Sequence, residues 1–347
     1  MIAPVQPTFV LIGAGQISRT YARAFSGNLP FRLTGVADID KSSAEKIAAV
    51  TGASAWDDIE SMCVELRPTA AIICTPPNTQ AAIAIELMNL GIHVMCEKPL
   101  GVSTMETRRM IAAADHNDVQ FTIASSYCFD NDIQTARQMI LDGELGEVIL
   151  FENTFARRID MAGRWNSDPC ISGGGVLRDR GPQSIDLVRY LLGPVMELQV
   201  MEGHRIQDLD VEDTVRLMVK NDAGSLGTID LSWSISKDTP HFISIYGAAG
   251  TLQIGKKESR FQRAGEKNWT VFGDGFNRHA ALTAQLKNFA ASIPGVDHLE
   301  YTARDALASA LTIEAAYHAL ESTSWQPVQQ PEREWHRPGM GASLQDS

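Results

Sequence analysis

The residues suited to chemistry fall into three stretches. Gly13-Ala14-Gly15-Gln16-Ile17-Ser18 has the pattern of a turn that cradles a pyrophosphate. The first glycine permits a tight turn, and the second lets backbone N–H groups approach phosphate oxygens at the positive end of a helix. Ser18 occupies the third glycine position and is small enough for helix and strand to pack closely. Taken alone, the same pattern describes an ordinary strand-to-helix turn. Asp38 follows 25 residues after Gly13, where a carboxylate would accept hydrogen bonds from an adenosine ribose. The order Asp38-Ile39-Asp40-Lys41 places two carboxylates where a 2′-phosphate would be repelled, so NAD is favoured over NADP.

The second stretch is Glu97-Lys98-Pro99. A residue before proline is pushed towards extended conformations, which fixes where the lysine points. Glu97 is placed to pair with that lysine or to bond a nicotinamide ribose. The third stretch runs Gly173-Gly174-Gly175-Val176-Leu177-Arg178-Asp179-Arg180-Gly181-Pro182-Gln183-Ser184-Ile185-Asp186. Three glycines allow close backbone approach, and Pro182 suits the first turn of a helix. Gln183 and Asp186 then share one face near the helix start, with Asp179 just upstream. From spacing alone, Asp179 as a helix cap and Asp186 as a solvated side chain describe this stretch equally well.

These stretches need elements to carry them. Phe9 to Ile12 is a short apolar run, and Ile17, Tyr21, Ala24 and Phe25 mark one face of a helix behind it. The pattern repeats through Phe31–Ala37, Ala70–Cys74, His93–Cys96 and Val119–Ala124, with helix-period segments between. Alternation of this kind predicts a parallel, doubly wound sheet over residues 1–124. Gly13, Asp38, Thr75-Pro76-Pro77 with Asn78, and Glu97-Lys98 then stand at the carboxyl ends of successive strands, the edge where open parallel sheets bind ligands.

From residue 125 the rhythm changes. A helix at Ile133–Leu141 and a strand from Val148 to Arg158 lead to two-residue alternation at Val215, Leu217 and Val219, and at Ile229, Leu231, Trp233 and Ile235. This predicts an α+β unit over 125–323 with a large antiparallel sheet covered on one face. Residues 324–347, rich in Gln, Pro and Gly, read as a polar tail or arm.

The Gly-x-Gly turn, the Glu97-Lys98-Pro99 tripeptide and the glycine-rich segment with Asp179 and Asp186, in this order, resemble the Gfo/Idh/MocA oxidoreductase family. The resemblance covers roughly Thr8 to Leu320. It implies an NAD(P)-binding Rossmann domain, then a mostly antiparallel domain for substrate binding and oligomerisation. It also implies sugar, sugar-derivative or cyclitol substrates, and a homodimer or homotetramer. Gly13, Gly15, Gln16, Ile17, Asp38, Thr75, Pro76, Asn78, Glu97 and Lys98 would bind the cofactor. Carried over by position, the family's conserved lysine is Lys98 and its active-site aspartate is Asp179. Gln183 stands where the family has a histidine, and Gln80 also replaces a histidine often seen in that segment. A glutamine bonds a hydroxyl or carbonyl but exchanges no proton. Lys98 is then the candidate to take the hydroxyl proton. Otherwise its charge polarises the oxygen while Asp179 or a water relay takes the proton. Tyr127, Arg157, Arg158, Arg164 and Trp165 are candidate substrate contacts, with a charged surface strand and packed aromatic rings as the plainer alternative. His241 is a lesser candidate, more simply read as structural. An NAD-dependent glycosidase and a non-catalytic NAD-binding regulatory protein remain alternatives.

Composition narrows the rest. The 347 residues carry a net charge of −12, which argues against nucleic acid or an anionic membrane surface as partner. No apolar run approaches the roughly 20 residues of a membrane span. Met1–Pro7 lacks the start of a secretory signal. Five widely spaced cysteines indicate neither a disulfide framework nor a zinc site, so a soluble cytoplasmic protein is expected.

Overall fold

The computed structural model describes residues 6–331. The chain opens with β1 (Thr8–Ile12), α1 (Ser18–Phe25), β2 (Arg32–Ala37), α2 (Lys41–Thr51), β3 (Ser54–Trp56), α3 (Ile59–Leu66), β4 (Ala70–Ile73), α4 (Pro77–Asn89), β5 (His93–Cys96), α5 (Thr104–His116) and β6 (Phe121–Ile123). The six strands are all parallel, in the order β3-β2-β1-β4-β5-β6. Residues 70–73 are buried on both faces, as a central parallel strand between helix layers requires. β1 and β4 are neighbours although the two strands of the sheet's other half, β2 and β3, separate them in sequence, which opens a crevice at their carboxyl ends. The short β3 and α3 do not emerge from apolar spacing; Asp58 sets the start of α3 by accepting the Ser61 N–H at 2.7 Å.

After a 3-10 turn at Ser126–Phe129 come α6 (Asn131–Leu141), β7 (Val148–Ala156), α7 (Pro169–Ser172), α8 (Val176–Leu192), β8 (Val195–Glu202), β9 (Thr214–Asn221), β10 (Leu226–Ser232), β11 (His241–Gly247), β12 (Gly250–Gly255), β13 (Ser259–Arg263), β14 (Thr270–Gly273), α9 (Arg278–Ser292), α10 (Ala303–Ser322) and β15 (Gln326–Pro327). The nine strands order as β14-β13-β12-β11-β7-β10-β9-β8-β15. All neighbours are antiparallel except β7 and β10, so the sheet is mixed. Phe151, Leu217, Ile229, Ile245 and Leu252 face α8 and the core, while no helix among the described residues covers the opposite face.

Three features differ from the reading of the sequence. First, α8 begins at Val176, so Pro182 lies inside the helix and Asp179 in its first turn. Glu212, from the β8–β9 connection, sets that start: Oε1 accepts the N–H groups of Gly175 and Leu177 at 3.0 and 3.1 Å, and its carbonyl accepts Val176 N–H at 2.8 Å. The glycines serve this packing, since a Cβ on Gly175 would lie 2.1 Å from the Glu212 carbonyl oxygen. Second, α9 returns to the first sheet. Leu282, Leu286 and Phe289 are buried against Phe9 and Leu11, with the Phe9 and Phe289 rings 6.0 Å apart. Third, Gln326 and Pro327 pair with β8, and Gln330 donates to the Val195 carbonyl at 2.7 Å. The stretch from 324 to 331 therefore closes a sheet edge, and the remainder of the expected tail lies outside the described residues.

Asp186 is not solvated. It is buried and accepts from Ser125 Oγ at 2.6 Å and from the hydroxyls of Tyr301 and Ser309, which ties α8 to β6 and α10. Burial pushes its carboxyl above the usual range, against the pull of those donors. The Phe289→Ala variant is expected to lose about 3–5 kcal/mol of unfolding free energy, read from urea melts, because its ring fills the contact between α9 and the first sheet.

Candidate active site

The carboxyl edge of the first sheet brings together the residues expected there. Gly13 has φ +91° and donates to the Ala37 carbonyl at 2.8 Å; a side chain on it would press on the Cys74 backbone at 3.0 Å. Ser18 is buried and its hydroxyl donates to the Gly13 carbonyl at 2.6 Å, so it locks the turn instead of merely sparing space. Asp38 joins the two strand ends: Oδ2 accepts the Ala14 N–H at 2.6 Å and Oδ1 the Asp40 N–H at 2.9 Å. Asp40 itself caps α2 and accepts from Ser42 and Ser43. Gln16 is exposed, and no side chain caps α1 at Ile17.

These residues fit a dinucleotide. A Cβ on Gly15 would meet nothing within 4 Å, and the uncapped N–H groups at the start of α1 are donors for a pyrophosphate. Each Asp38 oxygen keeps acceptor capacity for a ribose hydroxyl. Across the crevice, Thr75 and Pro76 precede α4, which starts at Pro77, and Asn78 is exposed in its first turn. Gln80 is structural. It is buried, donates to the carbonyls of Thr75 and Glu97 at 3.2 and 3.0 Å, and accepts the Gly101 N–H at 2.9 Å.

Glu97 and Lys98 diverge. The Glu97 carboxylate turns into the first domain, where it accepts the Tyr21 hydroxyl at 2.8 Å and the Lys98 N–H at 3.2 Å. Burial raises its pKa, against the pull of Lys98, Tyr21 and Arg278. The Lys98 ammonium crosses to α8 instead, donating to the Asp179 carbonyl at 2.8 Å and to Asp179 Oδ1 at 3.1 Å. Pro182 removes the intrahelical donor for the Arg178 carbonyl, so the helix backbone is already loosened one residue from this contact. Asp179 Oδ2 takes the Trp233 indole N–H and Arg180 Nε, both at 3.1 Å. Burial alone would raise the Asp179 pKa; Lys98, Arg180 and the Lys98 and Trp233 hydrogen bonds outweigh it and hold the carboxyl below its usual range.

Gln183 lies one helical turn after Asp179, on the same face. Its Oε1 is buried without a partner among the described residues, which leaves the amide available to a ligand. Tyr127 stacks on Phe276 at 4.3 Å and neighbours Phe155 and Phe242, and burial raises its pKa. Arg157, Arg158, Arg164 and Trp165 are exposed between β7 and α7, and α7 packs against α4. The structure does not bring His241 to this group. It lines a cavity of about 490 Å³ on the helix-free face of the large sheet, beside Asp230 and Arg260. Trp233, Arg180 and Tyr21 are the contacts that sequence reading missed. Alternation marks Trp233 as a core residue but carries no sign of the carboxylate its indole meets, and Ile235, in the same alternation, is exposed beyond the end of β10.

A doubly wound sheet with a glycine turn, facing an amine held by a carboxylate across the crevice, defines a dinucleotide-dependent oxidoreductase. Two family descriptions match the chain: "Oxidoreductase family, NAD-binding Rossmann fold" over residues 8–125 and "GFO/IDH/MocA C-terminal domain" over residues 133–253. The chain belongs to the Gfo/Idh/MocA oxidoreductase family. It is 27% identical to inositol 2-dehydrogenase of Rhizobium meliloti (strain 1021) over 253 residues, 70% of this chain and 74% of that one. D-glucoside 3-dehydrogenase of Escherichia coli (strain K12) is 29% identical over 187 residues, 53% of each chain. The solved structure of levoglucosan dehydrogenase in complex with NADH shares the fold with a TM-score of 0.86 at 20% identity, over 94% of this chain and all of that one. No helix among the described residues is long and apolar enough to cross a membrane.

Because the Asp179 carboxyl is held low, the stabilisation it contributes is present above the unfolded carboxyl's pKa. That stabilisation is lost as pH falls through the depressed native value. Asp179→Asn should therefore cost roughly 1–3 kcal/mol at pH 7, and the gap from the native protein should close below about pH 4. Urea melts at stepped pH measure this; a gap that persists at low pH contradicts it.

Proposed function

We propose that this chain is an NAD-dependent dehydrogenase that transfers a hydride between a secondary hydroxyl of a sugar, sugar derivative or cyclitol and the nicotinamide. The observation that carries the reading is the Lys98 ammonium, held by Asp179 at the carboxyl edge of the Rossmann sheet. The names of the inositol and glucoside dehydrogenases among its relatives support a ring hydroxyl as the reacting group.

When bound, the nicotinamide supplies the two-electron acceptor. The backbone from Gly13 through Gly15, Gln16 and Ile17 holds the pyrophosphate, and Asp38 holds a ribose. Thr75, Pro76, Asn78 and Glu97 line the remaining length. Lys98 has three N–H donors. Two go to Asp179, and the third is free to polarise the substrate oxygen as charge develops on it. With Lys98 charged, the hydroxyl proton goes to the Asp179 carboxylate, directly or through a water relay, because the ammonium has no lone pair to receive it and the Gln183 amide accepts none. Gln183 bonds a neighbouring substrate oxygen, donating from Nε2 or accepting at Oε1. Tyr127, Arg157, Arg164 and Trp165 form the substrate side. Two copies or four associate through the helix-free face, where Leu150, Met201 and Leu226 are exposed. Five unpaired cysteines suit the cytoplasm.

The test is NADH absorbance with a panel of sugars, sugar derivatives and cyclitols. NADH should accumulate in proportion to the alcohol oxidised, and Lys98→Met should lower kcat at least about 100-fold. Glycoside cleavage without net NADH would instead favour the glycosidase reading, and NAD binding without any turnover the regulatory one. For the cofactor, Asp38→Ser should reduce the kcat/KM preference for NAD over NADP by about tenfold or more, since it removes the charge that repels a 2′-phosphate.

A further inference from the structure

We infer that Trp233 is a positioning residue for the active-site amine: its indole N–H fixes the Asp179 carboxylate, and the carboxylate in turn fixes Lys98. This deepens the dehydrogenase reading and rests on it for the role of the amine.

The geometry is that of a relay of fixed contacts. Trp233 follows β10 and is fully buried, with its backbone pinned on both sides. Its N–H donates to the Asp213 carbonyl at 2.9 Å, and its carbonyl accepts Ile159 N–H at 2.8 Å. The indole nitrogen therefore has little freedom, and it lies 3.1 Å from Asp179 Oδ2. Lys98 occupies the other oxygen, Oδ1, at 3.1 Å. The plane of the carboxylate is set by one donor from each sheet. Arg180 also reaches Oδ2, but its side chain is 30% exposed and belongs to the neighbouring residue of the same helix, so it supplies charge without an independent anchor. Without the indole N–H, the carboxylate can rotate with Arg180, and Oδ1 no longer has a fixed place against the ammonium. The loss is of orientation, which an amine that must meet a substrate oxygen tolerates poorly.

The experiment compares native protein, W233F, W233H, D179N and the W233F/D179N double variant, each loaded with NAD. Trace acetylation of Lys98 at pH 8 is followed by mass spectrometry. D179N should raise Lys98 labelling several-fold, since the carboxylate that holds the ammonium is gone. W233F should raise it part of the way, and should add nothing in the D179N background. W233H restores a ring N–H in a smaller ring, so it should label closer to the native protein although it packs worse. With a substrate that is turned over, W233F should lower kcat by about tenfold and move KM by less than about twofold.

Native labelling in W233F would overturn the proposal. So would an equal further increase in the D179N background, or W233H labelling above W233F. If W233F fails to fold, the Trp233 indole N–H resonance in native protein and D179N decides: it must move upfield in D179N, and an unchanged signal overturns the contact. Labelling needs no substrate. A failed search for turnover therefore leaves this test standing, and an indifferent Lys98 in an enzyme that makes NADH removes the positioning role alone.

Discussion

Among the described residues, the Lys98 ammonium and the Asp179 carboxylate form the one ion pair that joins the end of β5 to α8, and the rest of the site is arranged to make their meeting tolerable. Their side chains are 18% and 16% exposed. Taking two charges that far out of water costs several kcal/mol per ion unless every remaining donor and acceptor finds a partner. Here the compensation is close to complete on the carboxylate side: Lys98 on one oxygen, Trp233 and Arg180 on the other. On the amine side, the described residues fill two of three donors, both at Asp179. Glu97, which the sequence places next to Lys98, stays out of the arrangement by facing Tyr21. A second carboxylate on the amine would consume the donor that the proposed reaction assigns to the substrate oxygen.

Several parts of this were legible in the chain alone because they rest on local rules. The glycine turn, the carboxylate after β2 and the lysine after β5 follow from apolar runs that end in polar or conformationally special residues. What was hidden depends on distant contacts. The start of α8 is set by Glu212, some 37 residues after Gly175, so Pro182 gave a false signal for the helix boundary. Asp186 looked like a solvated partner of Gln183 because nothing local announces Ser125, Tyr301 and Ser309. Residues 324–347 read as a tail because Gln, Pro and Gly are common in tails, whereas Gln326 and Pro327 form an edge strand beside β8. His241 was drawn towards the site by its chemistry, yet the register shift between His241 and Ile243 breaks the alternation and His241 lines the cavity on the other face.

Gln183 shows how a single substitution redistributes roles without emptying the site. An amide at the end of one helical turn from Asp179 retains both a donor and an acceptor but loses proton exchange. Its partnerless Oε1 costs stability in the free protein, which a ligand hydroxyl would recover. In the proposed reaction, proton movement then falls to the pair at Lys98 and Asp179, and recognition to the amide.

The return of α9 to the first sheet has a consequence for biosynthesis. Phe289 follows Phe9 by 280 positions, so the contact between their rings waits until both have left the ribosome. Until then the dinucleotide-binding half has a sticky flank with nothing to cover it, so that half cannot reach its final packing as an independent nascent unit. Closure of so long a loop is slow, and an uncovered flank during translation invites chaperone binding or aggregation. Truncated products that stop before α9 would carry every residue proposed to contact the cofactor and still be poorly soluble.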